Sequence, residues 1–188
     1  MKKNKGQYGY RNSSRNTRLL LIVIFIVAIL LQLLVRQFTD NPATRNILTV
    51  MAILTVLPMA NTASPMLASW KYKTASPEFY QAVHPYEEKF TILYDLVLTS
   101  KDFVMPMDAI AIHPNAVIAY CTNPKVDTPL AEKFLNEMLR GQKLEANAKV
   151  IKDERTFLRR LDTLKPASEY EDDGSEPYVA ALMKSLSM

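Results

Sequence analysis

Ile47–Trp70 reads ILTVMAILTVLPMANTASPMLASW, 24 residues without a formal charge. At about 1.5 Å of rise per residue, a helix of this length crosses a hydrocarbon core about 30 Å thick. Trp70, Lys71, Tyr72 and Lys73 follow at once, the aromatic and basic mixture favoured at a membrane surface. A second apolar run, Leu19–Val35 (LLLIVIFIVAILLQLLV), precedes it, so residues 19–70 read as a two-helix transmembrane hairpin with helices over 19–35 and 47–70. The first run exceeds the usual core of a signal peptide, and RQFTDNPATRN after it offers no small-x-small cleavage site. It is therefore expected to stay in the chain.

Charge orients the hairpin. Residues 1–18 carry Lys2, Lys3, Lys5, Arg11, Arg15 and Arg18 and no acid, and read as a structureless basic cytoplasmic tail. The connection between the two apolar runs holds Arg36 and Arg45 against Asp40, while Lys71 and Lys73 flank the far end. The positive-inside rule then places both termini in the cytoplasm of a two-pass protein of the cell membrane. Within the second run, Ala60, Ser64 and Ala68 recur every four residues, which lets a neighbouring helix approach closely. That neighbour is expected to be the first helix of the hairpin or a second copy of the chain.

Residues 71–188 are a different polymer, with 15 Lys and Arg against 18 Asp and Glu, a net charge of −3 although the whole chain is +4. A basic surface for nucleic acid is not indicated. Cys121 is the only cysteine, so no intrachain disulfide is possible, and with His84 and His113 it supplies too few soft ligands for structural zinc.

The order of elements follows from punctuation and periodicity. Ser76-Pro77-Glu78 opens a helix, which His84-Pro85 breaks or kinks. Phe90–Thr99 is a strand, and Met107–Ile112 and Ala116–Thr122 pair across the turn His113-Pro114-Asn115. The second of these is apolar almost throughout, as in a strand covered on both faces. Thr128-Pro129 opens a helix whose Leu130, Phe134, Leu135, Met138 and Leu139 share a side, with Gly141 at its end. Ala148–Ile151 is a short strand, Asp153–Leu164 a helix, EYEDDGSE an acidic linker, and Pro177 starts a last helix. The fold class is α+β, a sheet of about four strands with flanking helices in the order α-β-β-β-α-β-α-α.

The sequence lacks a Gly-rich phosphate loop, a Gly-x-Ser-x-Gly elbow, HExxH and Cys-x-x-Cys. One constellation remains. Helix–strand–strand–strand–helix–strand is the element order of the restriction-endonuclease-like core, and MDAIAIHPNAVIAYCTN resembles the central hairpin of the nuclease-related (NERD) family. The resemblance is close over these 17 residues and extends by element order over residues 77–151. It implies that Asp108 stands where the family has a metal-binding Asp. Cys121 then falls on its acidic position and Asn123 on its Lys position. Divalent-metal phosphodiester chemistry needs carboxylates to hold the ion, and a thiol and an amide do not replace them. Apart from the resemblance, Asp108 reads as a strand-start residue facing solvent, and Cys121 as a buried small hydrophobe.

These features predict a membrane-tethered interaction or regulatory module without enzymatic activity or cofactor. Its partners are the lipid bilayer and another membrane or cytoplasmic protein, a second copy through the 47–70 helix included. The alternative is a membrane-tethered, metal-dependent nuclease-like enzyme with Asp108 as metal ligand.

Overall fold

The computed structural model describes residues 3–170 and 174–188. Two compact units emerge. One is Asn12–Lys71; the other joins Lys3–Arg11 to Tyr72–Met188.

The first unit holds α1 (Tyr10–Gln37) from Asn12 onward and α2 (Pro42–Ser69), each of 28 residues and each long and apolar enough to cross a membrane. Both exceed the apolar runs that announce them. Helix α2 begins early because Asn41 caps it, accepting from the Ala43 N–H at 2.9 Å, with Pro42 in the first position. Several of its hydroxyls turn onto their own backbone: Thr55 Oγ1 donates to Met51 O, Thr62 Oγ1 to Pro58 O, and Ser69 Oγ to Pro65 O. Each such bond satisfies a hydroxyl within the helix itself. Ala60, Ser64 and Ala68 are all exposed, so this line is not packed on α1; Ala52 and Met66 are the buried residues of α2. Arg15 lies over the Trp70 ring, 5.5 Å from its centroid.

The second unit is a mixed four-stranded sheet in the order β1-β2-β3-β4, with β1 Thr91–Thr99, β2 Val104–His113, β3 Ala116–Tyr120 and β4 Ala148–Ile151. Antiparallel β1 and β2 run from Thr91↔Ile112 to Thr99↔Val104, and β2 and β3 from Ala109↔Tyr120 to His113↔Ala116. Helix α4, Thr128–Gly141, carries the chain to β4, which lies parallel to β3 from Val117↔Ala148. The expected α+β order holds throughout.

Helices cover both faces. Leu135 and Leu139 of α4 and Met183 of α6 (Ser175–Ser185) pack on one face against Leu96, Met107 and Ile110. Phe79 of α3 (Pro77–Val83) and Phe157 and Leu161 of α5 (Glu154–Thr163) pack on the other. All five residues of β3 are buried, as an apolar strand between two helical layers requires. Ser76 caps α3 through the Phe79 N–H, and His84-Pro85 ends it in a 3-10 turn over His84–Glu88. The centre of the acidic linker, residues 171–173, lies outside the described residues.

Both edges of the sheet are partly covered. On β4, Ala148 N donates to Asn136 Oδ1 at 2.8 Å and Val150 N to Glu132 Oε1 at 2.9 Å, so two side chains one turn apart on α4 replace a missing strand. On β1, Met188 N donates to Val97 O and Thr99 N to Leu186 O. Further along, Tyr94 N donates to Gly6 O at 2.8 Å. Residues 3–11 are thus part of the domain, against the expectation of a structureless tail. Gly6 makes the approach possible: its φ is +91°, and a Cβ there would lie 3.0 Å from Leu93 Cδ2. Tyr8 stacks on Tyr80 with centroids 4.2 Å apart and donates from its hydroxyl to Ala75 O.

Candidate functional site: a plugged break in the sheet

Strands β1 and β2 slip together. On β1, Ile92 and Tyr94 join one core layer and Leu93, Leu96 and Leu98 the other, so strict alternation fails between Leu93 and Leu96. On β2 the same happens between Met107 and Ile110. One residue on each strand is left out of the ladder, Asp95 and Asp108, and they oppose each other between the pairs Tyr94↔Ala109 and Leu96↔Met107. Because both strands slip at once, Leu96 and Leu98 on β1 and Met107 and Met105 on β2 still meet one core layer beyond the break. Asp95 absorbs the irregularity with a φ of +58°, a left-handed conformation that Asp tolerates better than most residues at a cost of about 1 kcal/mol.

Arg11, in the first turn of α1, fills the break. Its Nη1 donates to Asp108 Oδ1 at 2.6 Å and to Lys73 O at 2.9 Å, and its Nη2 donates to Met107 O at 2.6 Å and Leu96 O at 3.0 Å. The other carboxylate oxygen of Asp108 accepts from Thr122 N at 2.8 Å and Thr122 Oγ1 at 2.6 Å. Asp95 Oδ2 accepts from Gly9 N at 2.7 Å and Thr74 Oγ1 at 2.8 Å. Asp95 Oδ1 and Arg11 Nε are buried and have no hydrogen-bond partner among the described residues.

Asp108 is therefore buried in the interior of β2, not a solvent-facing residue at a strand start. A cation at Asp108 would have to displace a guanidinium. Among the described residues, no group of three or more His, Cys, Asp and Glu is placed to hold a metal ion. Cys121, on the acidic position of the nuclease-related hairpin, is fully buried; burial pushes its thiol pKa up, and its Sγ lies 3.8 Å from Asn123 O. Asn123 closes a local turn by accepting from Lys125 N.

The cluster joins the two segments through which the chain leaves the domain at Arg11 and re-enters it at Tyr72. Gly9 and Arg11 come from the first segment, Lys73 and Thr74 from the second, and the sheet holds both. Of the basic and aromatic residues that end the 47–70 run, Lys73 contributes its carbonyl here; Trp70, Lys71 and Lys73 are exposed and Tyr72 half-buried. Sequence reasoning missed Arg11, Thr74, Asp95 and Thr122. The signal lay in FTILYDLVLT, where one acid interrupts an otherwise apolar strand.

Comparisons with protein-family models, with curated proteins and with solved structures found no match.

Proposed function

We propose that the chain is a membrane-anchored, non-catalytic interaction or regulatory module, with α1 and α2 as its two spans and its domain and both termini on the cytoplasmic side. One observation carries the reading. The buried ionic cluster of the domain is spent on fastening the two connections to the apolar helices, with Asp108 held by Arg11 and Thr122. An enzyme of the alternative class would keep that carboxylate open to a metal and a phosphate. Here a guanidinium occupies the place of the ion, and opening it would break the anchor.

Two measurements on the full chain test this. Residue-specific photocrosslinking in native membranes, from exposed positions such as Gln142 and Tyr178, should trap one defined neighbour. Purified protein should cut neither DNA nor RNA with magnesium or manganese. Metal-dependent cleavage that Asp108→Asn abolishes would replace the module reading with the membrane-tethered nuclease.

A further inference from the structure

Strand β1 is covered along its outer edge from Tyr94 to Thr99 and, among the described residues, open at its N-terminal end. Tyr94 is engaged by Gly6, and Val97 and Thr99 by the C-terminal segment. Two residues before Tyr94, Ile92 presents its N–H and C=O to the same side, because alternate residues of a strand share an edge. Neither group has a hydrogen-bond partner among the described residues, and Ile92 is half-buried. Beside it runs a groove of about 650 Å³, walled by Tyr8 and Tyr80 and by Glu87, Glu88 and Glu176. The two lysines on its wall are turned onto rings, Lys3 Nζ lying 5.5 Å from the Tyr8 centroid and Lys89 Nζ 5.6 Å from that of Tyr86.

We propose that this groove, with the free edge at Ile92, is a strand-addition site for an extended basic peptide segment of a partner protein. The occupant's chemistry can be read from the neighbour already seated. Lys5-Gly6 of this chain lies on the same edge, pairing through Gly6 and sending Lys5 Nζ to Ser187 O at 2.6 Å. That segment turns away after Gly6, and Ile92 beyond it keeps the same outward backbone groups with no strand on them among the described residues. Backbone pairing supplies affinity in this mode, and the carboxylates of Glu88 and Glu176 supply the preference for lysine and arginine. The inference rests on the interaction-module reading and names the chemistry of its partner.

The test uses the full chain in uncharged detergent micelles and a fluorescent, end-blocked peptide Lys-Thr-Val-Thr-Val-Lys. Binding should saturate, and the matched peptide with Glu for Lys should bind at least about tenfold more weakly. Ile92→Pro should weaken binding at least about tenfold, since proline removes the outward N–H without touching the β1–β2 ladder. Glu88→Lys with Glu176→Lys should weaken it to a similar extent. In the unsubstituted protein, hydrogen exchange across residues 90–94 should slow on saturation, a readout that needs no variant. No saturable binding, equal binding of both peptides, or unchanged exchange at the β1 edge would each overturn the proposal. A partner trapped elsewhere on the domain would then leave the module reading in place and remove only this site.

Discussion

Arg11 and Asp108 lie 97 positions apart in the chain and meet at 2.6 Å with both side chains more than nine-tenths buried. Two charges withdrawn from water are tolerated because nearly every donor and acceptor is used. Removing one partner strands the other, at a typical cost of about 3–5 kcal/mol. Arg11→Ala and Asp108→Ala should each destabilise the domain on that scale. Cys121 offers a native reporter: it is the only thiol and fully buried, so its alkylation against urea concentration follows unfolding. Arg11→Met with Asp108→Leu should recover part of the loss, because no lone buried charge remains. If the double variant equals the sum of Arg11→Met and Asp108→Leu made singly, the two residues are not coupled.

A fragment beginning at Tyr72 should fold poorly. It would lack Gly6, Gly9 and Arg11, leaving the Tyr94 edge bare and Asp108 without its cation. Joining residues 3–11 to residue 72 through a flexible Gly/Ser linker, with the apolar helices deleted, should restore a folded soluble domain. Slow Cys121 alkylation and dispersed amide resonances would report success. Equal behaviour of the two chains would show that the N-terminal segment is dispensable.

Asp95 separates strain from bonding. Asn keeps an oxygen for Gly9 N and Thr74 Oγ1, tolerates a φ of +58°, and takes a carboxylate with one unpartnered oxygen out of the interior. Asp95→Asn should therefore be neutral or stabilising. Asp95→Ala loses both hydrogen bonds and is strained in the same conformation, so it should cost about 2–4 kcal/mol. The reverse ranking in urea unfolding would mean that the charge itself is required.

Patterns local to one element were legible in the sequence, and dependences between distant residues were not. Thr128–Gly141 and Ala148–Ile151 were bounded as observed because capping, period and glycine punctuation act within a few residues. The two apolar helices were placed by length and composition, though Asn41 and Pro42 start α2 earlier than its oily run suggests. Asp108 was misplaced because MDAIAI read as a strand beginning near the acid, whereas β2 begins at Val104 and slips its alternation at Asp108. Residues 3–11 looked structureless because they have no apolar period. They are ordered by contacts made through glycine backbone, tyrosine rings and one arginine, whose partners lie far along the chain.

The surface carries a pH-dependent contact. Tyr86 donates to Asp162 Oδ1 at 2.5 Å, and this hydrogen bond, with burial, pushes its phenol up to about 12. In the unfolded chain the group ionises at about 10. The folded state then holds the proton longer, so the stability from this contact is full below pH 10 and is lost as pH rises toward 12. Tyr94 is shifted in the same direction, first by burial and then by its hydrogen bond to Glu87, and extends the loss to higher pH. Tyr86→Phe should flatten the alkaline part of the stability profile in urea unfolding. Persistence of the full slope in that variant would assign it to other groups.

The topology prediction follows from charge at the ends of the two helices. Asn16 lies in the stretch that holds Arg11, Arg15 and Arg18, Thr44 lies in the first turn of α2, and Gln142 follows α4 of the domain as its C-cap. Only residues 38–41 separate α1 from α2, so Thr44 is close to the connection whichever way the pair is inserted. With the bases concentrated before the apolar run of α1, at residues 2–18, and after α2, that connection should lie outside and the domain inside. Single cysteines at these three positions, in a Cys121→Ser background, should respond differently to a membrane-impermeant thiol reagent on intact cells. Position 44 should react, while positions 16 and 142 should react only after lysis. Labelling at 142 without lysis would place the domain, its plugged break and its open β1 edge on the other side of the membrane.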